Sequence, residues 1–159
     1  MEKDLEEWIE KVIQPREEIG GIAICPFAKK GKENRKIFST NIDQDPEAFM
    51  INYIQLTSDF DLIVFYNHDC ILTNDDLLRI IDNLQSFLPD MILLKDHPEK
   101  PGYINGVYTG NGKYPTILVQ PRDKLNDARE KLKKTKYYDY WSEEYLKEIW
   151  SYGSESKSD

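Results

Sequence analysis

The chain has 159 residues, 40% hydrophobic and 12% aromatic, with a formal net charge of −8. That length holds one ordinary domain with a core of its own, and the apolar content excludes a chain left disordered for want of surface to bury. The negative charge disfavours nucleic acids and anionic membranes as partners, since both require a positive field.

No apolar run approaches a membrane span, and the start, Met1-Glu2-Lys3-Asp4, has no apolar stretch of the signal-peptide kind. Cys25 and Cys70 are the only cysteines, so no disulfide framework is visible and a cytoplasmic protein with reduced thiols is expected.

Leu5, Trp8, Ile9, Val12 and Ile13 recur at helical spacing with acids between them, which predicts an amphipathic helix ending before Pro15. Gly20-Gly21 breaks the chain, and Ile22-Ala23-Ile24 leads into Cys25-Pro26. The basic stretch 29–35 contains Gly31 and reads as a loop, followed by a short strand over 36–40. Asp45-Pro46-Glu47 reads as a helix start with Asp45 as the cap. Asp61-Leu62-Ile63-Val64-Phe65-Tyr66 suits a strand buried on both faces. Thr73 caps a helix that carries Leu77, Ile80, Ile81, Leu84, Phe87 and Leu88, stopped by Pro89, and 91–95 reads as another buried strand.

Residues 96–114 hold two prolines and four glycines, so this segment is either functional or ordered by a hairpin of its own. A strand over 116–120 and a helix over 123–134 follow, the helix turning Leu125, Ala128 and Leu132 inward. A last helix starts at Ser142-Glu143-Glu144. The order predicts an α/β domain over 1–152, with a mixed, mostly parallel sheet of about four strands covered by helices, and a polar tail over 153–159. Helical crossovers make the first three strands run the same way; the direction of the fourth stays open.

Chemistry is expected where parallel strands end. Tyr66-Asn67-His68-Asp69-Cys70 and Asp96-His97-Pro98 fall at that edge, and Gln120-Pro121-Arg122 joins them only if the fourth strand is parallel. Cys25 stands beside Lys29, Lys30 and Lys32, with Arg35 just beyond, and nearby cations lower a thiol's pKa and favour the reactive thiolate. This pattern makes Cys25 a candidate nucleophile and His97 its acid/base, with Lys29, Arg35 and Arg122 as anion anchors for a small anionic substrate, phosphorylated ones included. The plainer alternative is a small buried Cys25 beside solvated lysines.

Cys25, His68, Cys70 and His97 also make a two-Cys, two-His set that suits zinc, although the close Cys pairs of structural zinc sites are missing. No cofactor is expected. Thr109-Gly110-Asn111-Gly112-Lys113-Tyr114-Pro115 has the composition of a phosphate cradle but neither the spacing of a P-loop nor a following helix, and reads as a turn. Arg122 stands at a strand–helix junction, where free N–H groups favour anions. The aromatic run Tyr137-Tyr138-Asp139-Tyr140-Trp141 reads as a packed or lid-forming segment.

Trp8 with Val12-Ile13, then Cys25-Pro26-Phe27-Ala28-Lys29, His97-Pro98, Tyr114-Pro115 and Arg122 together resemble an uncharacterised bacterial family, domain of unknown function fourteen-fifteen. The resemblance covers about residues 5 to 130. The chain departs from the pattern at Gly20-Gly21-Ile22-Ala23-Ile24, where a Gly-Leu-Asn-Leu approach is usual, and at Asp96 before His97, where a Phe is usual. The resemblance implies no activity, but it implies one site of Cys25, Lys29, His97, Tyr114 and Arg122. Three functions therefore compete: an enzyme acting on a small anion, a non-catalytic ligand-binding or adaptor protein, and a zinc-stabilised domain.

Overall fold

A computed structural model describes residues 2–153. The expected polar tail lies outside the described residues apart from Gly153, which closes the last helix.

The first helix, α1 (Lys3–Val12), buries Leu5, Trp8, Ile9 and Val12, the stripe its spacing predicts. A small antiparallel ribbon follows, β1 (Pro15–Arg16) with β2 (Ile22–Ala23), its turn using Gly20 and Gly21 at φ 74° and 78°. The next element corrects the loop expected over 29–35. Pro26–Glu33 is a helix, α2, with Cys25 at its N-cap and Pro26 in its first turn. Gly31 is no breaker here. It is buried where α2 meets the sheet, and a Cβ would lie 3.1 Å from Asp61 Cβ and Ile37 Cγ1. The glycine therefore serves close packing and accepts the helix-propensity cost of about 1 kcal/mol.

Strand, helix, strand, helix, strand then follow as β3 (Ile37–Asn41), α3 (Glu47–Thr57), β4 (Leu62–Tyr66), α4 (Asn74–Gln85) and β5 (Met91–Asp96). The Thr73 side chain accepts from the Asp76 N–H at 3.0 Å, and the Asp76 carboxylate accepts from the Thr73 N–H at 2.9 Å, a complete capping box. At α3 the N-cap is Pro46 and Asp45 makes no cap bond. The segment after β5 is ordered by its own hairpin, β6 (Tyr103–Ile104) with β7 (Val107–Tyr108). Asn105 and Gly106 turn it with φ 46° and 82°, the two positive values a tight hairpin turn needs.

The last strand, β8 (Thr116–Pro121), inserts between β4 and β5 and runs antiparallel to both, giving the order β3-β4-β8-β5. The first three strands share one direction, as expected, and β8 opposes them. A connection without a crossover helix returns a strand this way. The chain ends with α5 (Arg122–Lys133), a single 3-10 turn at Tyr137–Tyr140, and α6 (Glu143–Gly153).

One face of the sheet is covered by α3 and α4, with Met50, Ile54, Leu77 and Ile80 against Ile63, Phe65, Leu93 and Val119. The other carries α1 and α2, with Leu5, Ile9 and Ala28 against Leu62 and Val64. Each fully buried aliphatic side chain contributes about 1.5–3 kcal/mol, so both layers are needed. Among the described residues no helix is long and apolar enough to cross a membrane.

Candidate functional site

The layer on the α1 side does not close completely. Between it and the sheet lies a cavity of about 420 Å³. Its floor is Leu62 of β4, Leu94 of β5, and Leu118 and Gln120 of β8, side chains two apart on their strands, with Leu94 and Leu118 paired across the ladder. Trp8 and Val12, one turn apart, come from α1; Cys25 and Phe27 come from the start of α2; Leu125 and Arg129, also one turn apart, come from α5. Tyr137, Tyr138, Trp141 and Tyr145 supply the wall from the chain's end.

Three bonds brace this wall. The Tyr137 hydroxyl donates to the Ile24 carbonyl beside Cys25. The Trp8 indole N–H donates to the Thr109 carbonyl at 3.0 Å, and Thr109 Oγ1 lies 3.2 Å from the Tyr145 hydroxyl. Thr109 thus ties the irregular segment to both α1 and α6. Within the aromatic run, Tyr137 and Tyr138 each stand edge-on to Trp141, at 5.5 and 5.1 Å between centroids.

Cys25 is in the cavity wall, but its chemistry is the reverse of the activated thiol expected. Removal from water pushes its pKa up to about 11; hydrogen bonds from the backbone N–H groups of Phe27 and Ala28 oppose this without overcoming it. Lys29 and Lys30 are exposed on α2, and Lys32 pairs with Glu10, so the cations face solvent while the thiol faces the core. Cys25 is half-buried, packed against the core on the α1 side and lining the cavity.

Both ring nitrogens of His97, the acid/base expected for Cys25, are already hydrogen-bonded. The ring is buried, with Nε2 donating to the Leu72 carbonyl at 2.8 Å and Nδ1 accepting from the Glu99 N–H at 3.1 Å. A carbonyl can only accept and an N–H only donate, which assigns the proton to Nε2. Leu72 belongs to the core under α3 and α4, whereas Cys25 packs with the core on the α1 side.

The cations also fail to converge. Because β8 is antiparallel, Arg122 sits at the opposite end of β5 from His97: its N–H donates to the Asp90 carbonyl at 2.8 Å and its Nε to the Pro89 carbonyl at 2.9 Å. Six residues of strand separate the two ends, about 20 Å. Arg35 is exposed just past α2, with φ 57°. Tyr114 is buried against α1, its hydroxyl 3.5 Å from Asp4 Oδ2 and its ring stacked on His68. Asn111 Oδ1 accepts from the N–H groups of Lys113 and Tyr114, so the glycine-bearing segment is a side-chain-stabilised turn. Among the described residues no cluster of three or more metal-ligating side chains forms, and Cys25, His68, Cys70 and His97 do not assemble.

The residues that do face the cavity include Arg129 and Trp141, which were not expected at a site, and Asp96 from the Asp96-His97-Pro98 cluster expected at the strand edge. Arg129 is only 2% exposed, and burial lowers its pKa. Asp96 is raised by burial, against two bonds that its Oδ2 accepts from Asn111, from N at 3.1 Å and Nδ2 at 2.9 Å. Trp141 carries a buried indole N–H with no acceptor among the described residues. Arg129 had one faint signal in the sequence, its place beside Leu125, Ala128 and Leu132 on the inward side of the helix. A second concavity of about 560 Å³ between α2 and α5 is lined by Lys30, Lys36, Lys124 and Lys131, of which Lys36 pairs with Asp59 and Lys124 with Asp59 and Asp61.

No family model, no curated protein and no solved structure matches the chain. The site's chemistry therefore rests on its own geometry.

Proposed function

We propose that the protein is a non-catalytic binding protein for a small aromatic or otherwise apolar molecule, held in the cavity between the sheet and the α1 layer. The observation that carries this reading is the cavity itself, of ligand size at about 420 Å³, apolar on its floor, aromatic on its walls, and edged by a few polar groups. The enzymatic alternative needs a thiolate and a base within reach. The suppressed Cys25 thiol and the doubly bonded His97 weigh against it. The two cysteines are unpaired, which fits a reducing compartment, and we read the protein as cytoplasmic.

The test is titration with N-phenyl-1-naphthylamine, a neutral dye that brightens in apolar surroundings. Saturable brightening at one dye per chain is expected, and Leu118→Trp, which fills the floor, abolishes it while the circular dichroism spectrum stays native. Absence of saturation, or brightening unchanged in Leu118→Trp, refutes the reading.

A further inference from the structure

The two edges of the sheet are finished differently. The edge at β5 has α6 against it. At the other edge, β3 has one strand neighbour among the described residues, β4. Backbone groups of successive residues point to alternate sides of a strand, and the Lys36 carbonyl and the Ile42 N–H both bond toward β4. Ile37, Ser39 and Asn41 therefore aim their N–H and C=O groups outward. Edge strands are commonly blunted by a charge, a proline or a bulge. β3 has none of these: Ile37-Phe38-Ser39-Thr40-Asn41 is uncharged and pairs with β4 residue for residue.

The helix beside this edge is apolar on a flank that the fold does not bury. Glu47 of α3 accepts from Asn83 at 3.2 Å and lies 3.7 Å from Arg79, so that side of the helix faces α4. Because α4 lies over β5 and β8, the side of α3 away from it overlooks β3. At 3.6 residues per turn that side carries Phe49, Tyr53 and Leu56. Phe49 is 47% exposed and Leu56 is more so. Tyr53 stands edge-on to Phe65, at 5.6 Å between centroids, and Phe65 pairs with Thr40 of β3. Residues 37–42 and 48–56 hold no charged residue in a chain that is 31% charged. Depletion of charge marks the centre of a protein interface.

The charges at the two ends of β3 indicate what fits there. Arg35 and Lys36 precede the strand, whereas Asp43 and Asp45 follow it. A strand laid antiparallel on this edge with the same polarity of charge brings basic to acidic end at both places. The chain itself is such a strand.

We propose that two copies of this chain pair through β3, antiparallel about a twofold axis at Ser39, to make one continuous eight-stranded sheet. The outward groups of Ile37, Ser39 and Asn41 then exchange about six backbone hydrogen bonds with the partner. Arg35 falls opposite the partner's Asp43 in this register. Both α3 helices lie on the same face of the joined sheet. Helix and strand are each about 16 Å long, and α3 runs back along β3, so its middle is level with Ser39. Phe49 therefore meets the partner's Leu56, and the apolar flanks cover each other. The pairing is independent of the cavity, which lies on the opposite face of the sheet.

Sedimentation equilibrium of the full chain tests the proposal, with circular dichroism to verify folding. The wild type is expected to have the mass of two chains at about 100 μM and to dissociate on dilution. Leu56→Glu alters an exposed side chain and is expected to weaken association about tenfold or more. Ser39→Pro removes an outward N–H and no bond to β4, and is expected to give a monomer. Arg35→Glu and Asp43→Arg each weaken association about threefold, and the two together recover most of the loss. If Ser39→Pro fails to fold, Leu56→Glu decides. A wild type with the mass of one chain at about 100 μM overturns the proposal. So does a dimer that Leu56→Glu leaves unchanged, or a double charge swap no tighter than either single one.

Discussion

His97 Nε2 lies 2.8 Å from the carbonyl oxygen of Leu72, and this bond anchors the buried imidazole. With Nδ1 accepting from Glu99, the ring bridges the β4–α4 connection to the end of β5. Its removal leaves a buried carbonyl unsatisfied. His97→Ala is expected to destabilise the fold by about 2–3 kcal/mol, measured by urea denaturation, with dye binding in the folded fraction unchanged. A loss of binding without a loss of stability contradicts this structural role.

Cys25 makes a prediction in pH. Its thiol is raised from an ordinary value of 9.0 to about 11. Between those limits the unfolded chain has lost a proton that the native protein keeps, so native stability is unaffected below pH 9 and falls as pH rises toward 11. In a Cys70→Ser background, the rate of alkylation by iodoacetamide is expected to inflect near pH 11. An inflection near 8.5, the value of free cysteine, contradicts the burial of the thiol, and only one well below 8.5 restores the activated-thiol reading.

Tyr137 fixes the aromatic turn to the strand end that precedes α2, through its hydroxyl and the Ile24 carbonyl. Both groups are buried, so Tyr137→Phe strands an acceptor and is expected to cost about 1–3 kcal/mol in chemical denaturation. Tyr138→Phe is the comparison. Equal stability of Tyr137→Phe and the wild type refutes the bracing role.

The tryptophan indoles provide a spectroscopic contrast. Trp8 Nε1 is bonded to Thr109 and Trp141 Nε1 has no acceptor among the described residues. On addition of N-phenyl-1-naphthylamine, the indole signals of Trp8 and Trp141, both in the cavity wall, are expected to shift saturably in a ¹H–¹⁵N spectrum. Movement of neither signal contradicts binding in the cavity.

Much of the scaffold is legible in the residue pattern, because local chemistry decides it. The stripe of α1, the capping box of Thr73 and Asp76, and the β-rich run of β4 each specify their element without help. The common direction of β3, β4 and β5 follows from their helical crossovers. What escapes the pattern is decided by distant partners. Gly31 reads as a breaker until Asp61 and Ile37 are seen pressed against it. The direction of β8 depends on how the hairpin-bearing connection folds back, and with it goes the location of Arg122. The site suffers most, since thiol and lysines adjacent in sequence point opposite ways on a helix start. A buried arginine, conversely, looks like a surface one until the tyrosines around it are in place.

Binding of a small apolar molecule in the cavity is open to an NMR titration with N-phenyl-1-naphthylamine. Saturable shifts and intermolecular contacts are expected at Trp8, Leu94, Leu118 and Tyr145. Contacts confined instead to the exposed apolar side chains Leu56 and Phe87, which are 77% and 71% accessible, contradict it.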